Sequence, residues 1–402
     1  MQTLALSELH TFVVGLVALS LGTALSRRVG LLERLNIPNP VVGGVLVSLG
    51  VAALRAFGGV EVRFASGLSD LLLLVFFTTV GLSAKFSALM AGGRPLAILC
   101  GVTVLMIAAQ NIIGVLIALI YGAHPIAGLL VGSISFVGGP GTAAAWAKEA
   151  QALGLARAPE VAVAGATLAV IVGAVVAGPI TGRLIERRGL HGAGGASPAP
   201  WVAPETPAPA RSLPPIEQVM RSILLTMLAV AIGQWLNEWG KAAGLVLPGF
   251  LTAMLGGVMI TNAADALGAK IDFGPIEREG EMSLQAFLAM YLMSLKLWTL
   301  GAAVVPLVLN VAAQVVVATL VAVLVLFRAL GRDYDAAVTV GGFLGFGLSS
   351  MPVAMATMDK VASRYGPSPK AFLLITLAGS FFVDLANAFM VQAFLALPLF
   401  RL

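Results

Sequence analysis

Charged residues are scarce in this chain. Only 11% of its 402 residues are Asp, Glu, Lys or Arg, whereas 59% are hydrophobic, and its mean hydropathy is +0.98. Soluble domains carry about 25% charged residues, and a chain with so few could not cover the water-facing surface that its length requires. This composition argues against soluble enzymes, nucleic-acid-binding proteins and secreted disulfide-linked domains. It predicts an integral membrane protein with several spans, and membrane lipids as its surroundings.

Cysteine and histidine are also scarce. Cys100 is the single cysteine, so neither an intrachain disulfide nor a cysteine-based metal site is expected. The three histidines lie far apart in the sequence and beside no acidic cluster. We find no nucleophile–base pair, phosphate-binding loop or HExxH motif. We therefore expect a protein that is not an enzyme, with no cofactor, no transition-metal site and no nucleic-acid partner.

Ten apolar runs are long enough to cross a bilayer, which takes about 20 residues per helix. They are 10–26, 38–57, 68–84, 96–121, 158–182, 219–238, 246–262, 283–302, 304–327 and 370–397. Two further apolar runs, 125–147 and 336–358, contain the clusters Gly138–Gly141 and Gly345–Gly347. Glycine costs about 1 kcal/mol in a helix and proline about 3. We therefore predict that each run is a re-entrant hairpin, broken at its glycines, that enters and leaves on one side.

The basic residues are distributed unevenly in this topology. Of the 24 Lys and Arg, 17 lie on one side, 6 on the other, and Lys296 lies within a span. The positive-inside rule makes the richer side cytoplasmic. We therefore expect a multi-pass membrane protein with both termini outside the cytoplasm. The segment 187–217, rich in Ala, Pro and Gly, is predicted to be a flexible cytoplasmic linker.

Local patterns recur in the two halves at offsets of about 204 to 210 residues, as where Ala108–Gln110 returns as Ala312–Gln314. They predict two repeats, 1–186 and 218–402, each with five spans and one hairpin. Because five is odd, the second repeat is inverted, and the two hairpin tips meet near the middle of the membrane. Paired interrupted segments in inverted repeats are typical of the binding site of a secondary transporter, since broken helices expose backbone groups that lipid cannot satisfy.

Polar residues at these breaks and at membrane depth are the candidate ligands. N–H groups at half-helix starts suit a carboxylate, whereas unwound carbonyl groups suit Na⁺. The candidate substrate ligands are Ser133, Ser135, Gly138, Gly139, Gly141, Thr142, Gly345, Gly347, Ser349, Ser350 and Asn387. The candidates for sodium binding or coupling are Asp384, Asn387, Gln110, Gln314 and Lys296, because intramembrane polar residues are functional candidates.

These residues also have structural interpretations. The glycines could allow close helix packing, and the two glutamines could be scaffold hydrogen bonds. Asp384 could serve only an interhelical hydrogen bond, although its position one turn before Asn387 suits Na⁺, an ammonium group or a proton. Lys296 could pair with a substrate carboxylate or with Asp384, or reach the membrane interface beside Trp298.

Four segments resemble motifs of the bacterial glutamate:sodium symporters. They are Phe76–Leu82, Phe136–Trp146, Ala354–Met358 and the region from Arg364 to Asp384. The resemblance implies a homodimer of ten-span protomers with an inverted repeat and two re-entrant loops. It also implies an elevator mechanism, in which a transport domain slides against a dimerising scaffold, and symport of L-glutamate with Na⁺ across the bacterial inner membrane. The chain departs from the family pattern at Pro140, where a histidine is usual, and at Ser349–Val353.

Sodium-coupled symport of L-glutamate, or of a related small amino acid or dicarboxylate, is therefore the leading hypothesis. A cation/proton exchanger that uses Asp384 and Lys296 is the alternative. A passive channel is disfavoured, because two hairpins entering from opposite sides favour alternating access.

Overall fold

The computed structural model describes residues 2–34, 37–191, 216–242, 247–269, 271–296 and 304–400, most of which are helical. In the first half the helices are α1 (Glu8–Arg28), α2 (Gly30–Arg34), α3 (Asn39–Gly58), α4 (Gly67–Leu82), α5 (Phe86–Ala91), α6 (Gly93–Ile120), α7 (Pro125–Leu129), α8 (Gly139–Ala152) and α9 (Ala158–Arg188). A π-helical segment, Leu130–Ile134, follows α7 directly.

The second half has a similar order of elements. Its helices are α10 (Ile216–Ala242), α11 (Gly249–Ala266), α12 (Phe273–Met293), α13 (Val304–Leu320), α14 (Phe327–Ala329), α15 (Tyr334–Leu348), α16 (Met351–Tyr365), α17 (Pro369–Leu377) and α18 (Val383–Leu395). Further π-helical segments, Val321–Leu326 and Ala378–Phe382, connect α13 to α14 and α17 to α18, and a short 3₁₀ helix, Pro398–Phe400, follows α18. In each half, a long apolar helix (α6 or the segment α13–α14) comes before two shorter helical segments separated by a break. One further helical segment (α9 or α17–α18) follows them.

Six described helices are long and apolar enough to cross a membrane, so the protein is a polytopic membrane protein. They are Glu8–Arg28, Asn39–Gly58, Gly93–Ile120, Ala158–Arg188, Ile216–Ala242 and Val305–Ala329. Shorter apolar helices include α4 and α18. The remaining predicted spans fall on α4, α11, α12 and the interrupted segment α17–α18. The ten-span topology therefore stays a prediction.

Two short strands are an addition to the predicted all-α class. β1 (Gln2–Ala5) pairs in parallel with β2 (Val60–Arg63), with Gln2 opposite Val60. Each strand has only four residues and borders a helix. Val60–Arg63 alternates apolar and polar residues over the shortest run that indicates a strand, whereas Gln2–Ala5 does not alternate. The pairing depends on helices α1 and α3, which bring the two segments together.

The chain divides into two compact units. The first comprises 1–85, 140–167 and 216–305, and the second comprises 86–139, 168–215 and 306–402. Each unit draws segments from both halves of the sequence. The units are therefore set by tertiary packing and do not coincide with the predicted repeats 1–186 and 218–402.

Close backbone contacts hold the first unit together. A Cβ atom added to Gly43 of α3 would lie 1.8 Å from the Ala18 carbonyl oxygen of α1. One added to Gly81 of α4 would lie 2.0 Å from the Met254 carbonyl oxygen of α11. Small residues at such contacts allow helix backbones to approach closely, which favours helix association in membranes.

The second unit has the larger described apolar core. It brings buried side chains of α6, α9, α13, α15 and α17 together, with Phe343 and Phe346 of α15 packed edge to face at 5.4 Å between ring centroids. This core also includes buried residues next to the helix breaks described below, such as Val137 and Leu348.

Candidate functional site

The first helix break lies close to the predicted position. Gly132 leaves the helical conformation inside the π-helical segment, at φ −91° and ψ −134°. A turn at Val137 and Gly138 follows, and α8 begins at Gly139, whose φ is +66°. A residue with a side chain rarely adopts this left-handed conformation, so glycine is favoured at the first residue of α8. The break predicted at Gly138–Gly141 is thus present, and the distortion begins at Gly132.

The second break lies later in the chain than predicted. Gly345 and Gly347 lie within α15, and the break falls at Ser349 and Ser350, which have extended φ angles of −157° and −172°. Pro352 lies in the first turn of α16, as expected for a residue that starts a helical piece. The prediction of a break at Gly345–Gly347 is therefore wrong.

Packing explains these two glycines. A Cβ atom added to Gly345 would lie 2.3 Å from the Ala354 Cα atom on α16, and one added to Gly347 would lie 2.1 Å from the Met106 Cε atom on α6. Helix α15 thus packs tightly against α16 and α6. The structural interpretation, close helix packing, accounts for both glycines.

The two breaks meet inside the second unit. A Cβ atom added to Gly139 would lie 3.3 Å from the Ser349 carbonyl oxygen. The Ser349 hydroxyl is buried and has no hydrogen-bond partner within the described part of the chain. Ser350, the N-cap residue of α16, makes no side-chain capping hydrogen bond. The start of α16 therefore offers uncapped N–H groups and the positive end of a helix dipole.

Three side-chain oxygen atoms converge at the first break. The Ser133 Oγ atom lies 2.8 Å from Asn111 Oδ1 and 2.6 Å from Asn387 Oδ1, and all three residues are buried. The serine hydroxyl has one proton, so it can donate to only one of these carbonyl oxygens. A cation that binds oxygen atoms would remove the resulting repulsion.

The orientations of the two amides have independent support. The Ser133 backbone N–H donates to Asn111 Oδ1 at 3.1 Å, and the Asn387 Nδ2 atom donates to the Ser133 carbonyl oxygen at 3.4 Å. Rotating either amide by 180° would place like groups against each other. The carbonyl oxygens therefore face the Ser133 hydroxyl. We call Asn111, Ser133 and Asn387 the oxygen cluster.

Gln110 and Gln314 support the backbone around the breaks. The Gln110 Nε2 atom donates to the Gly347 carbonyl oxygen at 2.8 Å, and the Gln314 Nε2 atom donates to the Gln110 carbonyl oxygen at 2.9 Å. Asn310 similarly donates to the Val131 carbonyl oxygen. These hydrogen bonds fit the structural interpretation of the two glutamines as scaffold residues, and their role in sodium binding or coupling stays a prediction. Their Oε1 atoms are buried and have no hydrogen-bond partner within the described residues.

Asp384 lies in the first turn of α18, directly after the π-helical segment. It is partly buried, and no hydrogen bond or ion pair joins its carboxylate to another described side chain. Asn387, one turn later, brings this helix to the oxygen cluster. Ser135 is buried in the same unit, and its hydroxyl donates to the Leu130 carbonyl oxygen at 2.5 Å.

Three other predicted site residues belong to the first unit. Gly141 and Thr142 lie in α8, where a Cβ atom added to Gly141 would lie 2.8 Å from a Leu284 side-chain carbon. Lys296 is exposed and lies three residues after α12 ends at Met293, so its prediction within a helical span is wrong. Its backbone N–H donates to Glu160 Oε1 at 3.0 Å. Trp298 lies outside the described residues.

Asn111 and Asn310 were missed by the sequence analysis. Asn111 follows Gln110, and Asn310 precedes Gln314 by one helical turn, in otherwise apolar helices. Two amide side chains close together in an apolar helix are a usable signal of a polar site, because polar side chains inside a membrane are costly unless they find partners.

Comparison with known proteins identifies the family. Residues 4–367 match the sodium/glutamate symporter family model, a match that includes both helix breaks. The chain belongs to the sodium/glutamate symporter family. It is 36% identical over 386 residues to the sodium/glutamate symporter of Haemophilus influenzae, covering 95% of each chain. It is also 36% identical over 398 residues to that of Escherichia coli K12, covering 98% of this chain and 99% of the relative. The predicted family resemblance is therefore confirmed.

Proposed function

We propose that this protein is a sodium-coupled symporter that carries L-glutamate across the bacterial inner membrane. The observation that carries the proposal is a family match that extends over both helix breaks, together with relatives named sodium/glutamate symporters over 95–98% of the chain. These matches favour symport over cation/proton exchange. The position of Lys296 beyond the end of α12 also gives no support to exchange through a Lys296–Asp384 pair.

The oxygen cluster is the proposed place of the coupling ion. Asn111, Ser133 and Asn387 supply neutral oxygen atoms, and oxygen is the ligand type that hard cations prefer. Asp384 is one turn away from Asn387 and supplies a negative charge that offsets the cation at membrane depth. A buried hydroxyl between two carbonyl oxygens supports this assignment.

The start of α16 is the proposed place of a substrate carboxylate. Its uncapped N–H groups and helix dipole suit an anion, and the Ser349 hydroxyl beside it is buried without a partner in the described part of the chain. Gly139 keeps the first break close to this point. Gly138, Gly141, Thr142 and Ser135 remain candidate substrate ligands from the sequence.

The transport cycle is proposed to follow an elevator mechanism in a homodimer of ten-span protomers, with the two broken segments as re-entrant hairpins. The division into two compact units supports this mechanism, since an elevator transporter has one mobile transport domain and one stationary scaffold domain. The uneven distribution of bases supports a cytoplasmic linker with both termini outside.

Uptake of labelled L-glutamate by proteoliposomes tests the proposal. Under an inward Na⁺ gradient we expect accumulation above the external concentration, and with K⁺ replacing Na⁺ we expect none. Aspartate, glutamine and succinate, offered as competitors, would define the substrate class. Accumulation that follows a pH gradient alone, or none with any of these solutes, would refute sodium-coupled symport.

A further inference from the structure

A cavity in the second unit lies away from both helix breaks. It lies between the last part of α9 and the last part of α16 and has a volume of about 430 Å³. Three residues without long side chains, Gly178, Pro179 and Gly182, line its α9 side. The Tyr365 hydroxyl lies 3.1 Å from where a Gly182 Cβ atom would be, so a residue without a side chain lets the tyrosine pack close to α9 at this end of the cavity.

The cavity has a net positive charge. Arg183, Lys360 and Arg364 line it together with one acid, Glu186. The Glu186 Oε1 atom accepts hydrogen bonds from Arg364 at 3.1 Å and from the Tyr365 hydroxyl at 2.6 Å. The negative charge of Glu186 thus neutralises the positive charge of Arg364. Arg183 and Lys360 form no ion pair among the described residues, so two positive charges remain available to an anion.

An apolar surface continues from the basic end of the cavity. Val175, Pro179 and Gly182 lie on one face of α9 at spacings of four and three residues, and Val175 is 54% exposed. This helix is apolar enough to cross a membrane, and it ends in Arg187 and Arg188. A ligand that fits both parts has an anionic head and an apolar tail, whereas a free phosphate would use only the basic end.

We propose that this cavity binds the phosphate headgroup of an anionic phospholipid of the cytoplasmic leaflet, with an acyl chain along the Val175–Gly182 face. Arginine binds phosphate oxygens in a bidentate geometry, and basic pockets between membrane helices on the cytoplasmic side bind anionic headgroups. The predicted topology places these bases on the cytoplasmic side. The proposal rests on the membrane location and is independent of which solute is carried.

Native mass spectrometry of the detergent-solubilised full chain, with added phosphatidylglycerol or phosphatidylcholine, tests this proposal. Each base near an anionic surface is worth about a fivefold change in affinity. The double variant Arg183→Gln/Lys360→Gln is therefore expected to bind phosphatidylglycerol about 25-fold more weakly, with phosphatidylcholine binding unchanged. The matched control, Arg94→Gln/Arg278→Gln, removes two exposed bases on the same predicted side outside the cavity and should change binding less than twofold.

A wild-type protein without preference for phosphatidylglycerol would overturn the proposal, as would an equal loss in the control variant. Equal competition by glycerol 3-phosphate and by the whole lipid would mean a free-anion site, which also contradicts it. The conservative variant Arg183→Lys/Lys360→Arg should keep the lipid preference and so separates charge from folding. Uptake of glutamate is measured in parallel. If the wild-type protein binds the lipid but shows no Na⁺-dependent uptake, the symport proposal is contradicted and the lipid-site proposal is not.

Discussion

Replacing Ser133 by alanine tests the oxygen cluster most directly. The substitution removes the Oγ atom that lies between two amide oxygens while leaving the backbone N–H bond to Asn111 in place. If the hydroxyl is a ligand of Na⁺, its loss removes one interaction with a charged partner. Such interactions are worth about 1.5–3 kcal/mol, so half-maximal uptake should need a Na⁺ concentration about 10- to 150-fold higher.

The effect on folding should be much smaller. Without a bound ion, the hydroxyl makes one neutral hydrogen bond, worth about 1 kcal/mol. The matched control is Ser48→Ala in α3, which removes a buried hydroxyl that donates to the Leu295 carbonyl oxygen at 2.7 Å. Both variants should lose similar thermal stability, and only Ser133→Ala should change the Na⁺ dependence.

The assay is initial glutamate uptake by proteoliposomes over a series of Na⁺ concentrations, with K⁺ keeping the ionic strength constant. A second readout is the melting temperature as a function of Na⁺, because an ion that binds only the folded protein stabilises it in proportion to its occupancy. An Na⁺ dependence in Ser133→Ala that equals that of the wild type in both readouts would refute the assignment. Equal changes in both alanine variants would show a general effect on folding.

Three further predictions follow from the same geometry. Asp384→Asn keeps the shape and removes the charge, so it should abolish Na⁺ dependence in a protein that still folds; normal coupled uptake would disprove the role of this carboxylate. Gly139→Ala should lower the free energy of unfolding by about 1–2 kcal/mol, because φ is +66° there, and unchanged melting would contradict it. Gly81→Ala should destabilise the protein by about 1–3 kcal/mol, since the added Cβ would lie 2.0 Å from a carbonyl oxygen of α11, whereas Gly101→Ala, with no neighbouring atom within 4 Å, should not.

Local chemistry explains why the first break could be found from the sequence. Three glycines and a proline within four residues, 138–141, cannot continue a helix without a large cost. At the second break the glycines are separated by a phenylalanine and remain helical, because α15 packs tightly against α16 and α6. Glycine has two uses in a membrane helix, to break it and to bring it close to another helix. The sequence does not distinguish them where only two glycines are present.

Lys296 illustrates a second limit. The apolar run 283–302 reads as one span, yet α12 occupies Phe273–Met293. The helix therefore begins ten residues before the predicted span and ends before Lys296. Hydropathy averages over a window and so places a helix end only approximately. The end of α12 is instead fixed by contacts, since the Glu160 carboxylate accepts the Lys296 N–H and the Leu295 carbonyl oxygen accepts the Ser48 hydroxyl.

The sequence by itself determined that this chain is a membrane protein and that it resembles the glutamate:sodium symporters. It also determined that Asp384 and Asn387 lie on one face of a helix. Those conclusions depend on composition, motifs and helical spacing, which are local properties. Only the tertiary structure brought Asn387 to Ser133, 254 residues away in the sequence, and Ser133 to Asn111. In helices that are apolar on every face, the pattern does not say which sides meet. That choice is made where small residues let the backbones approach, and it decides which few polar groups come together.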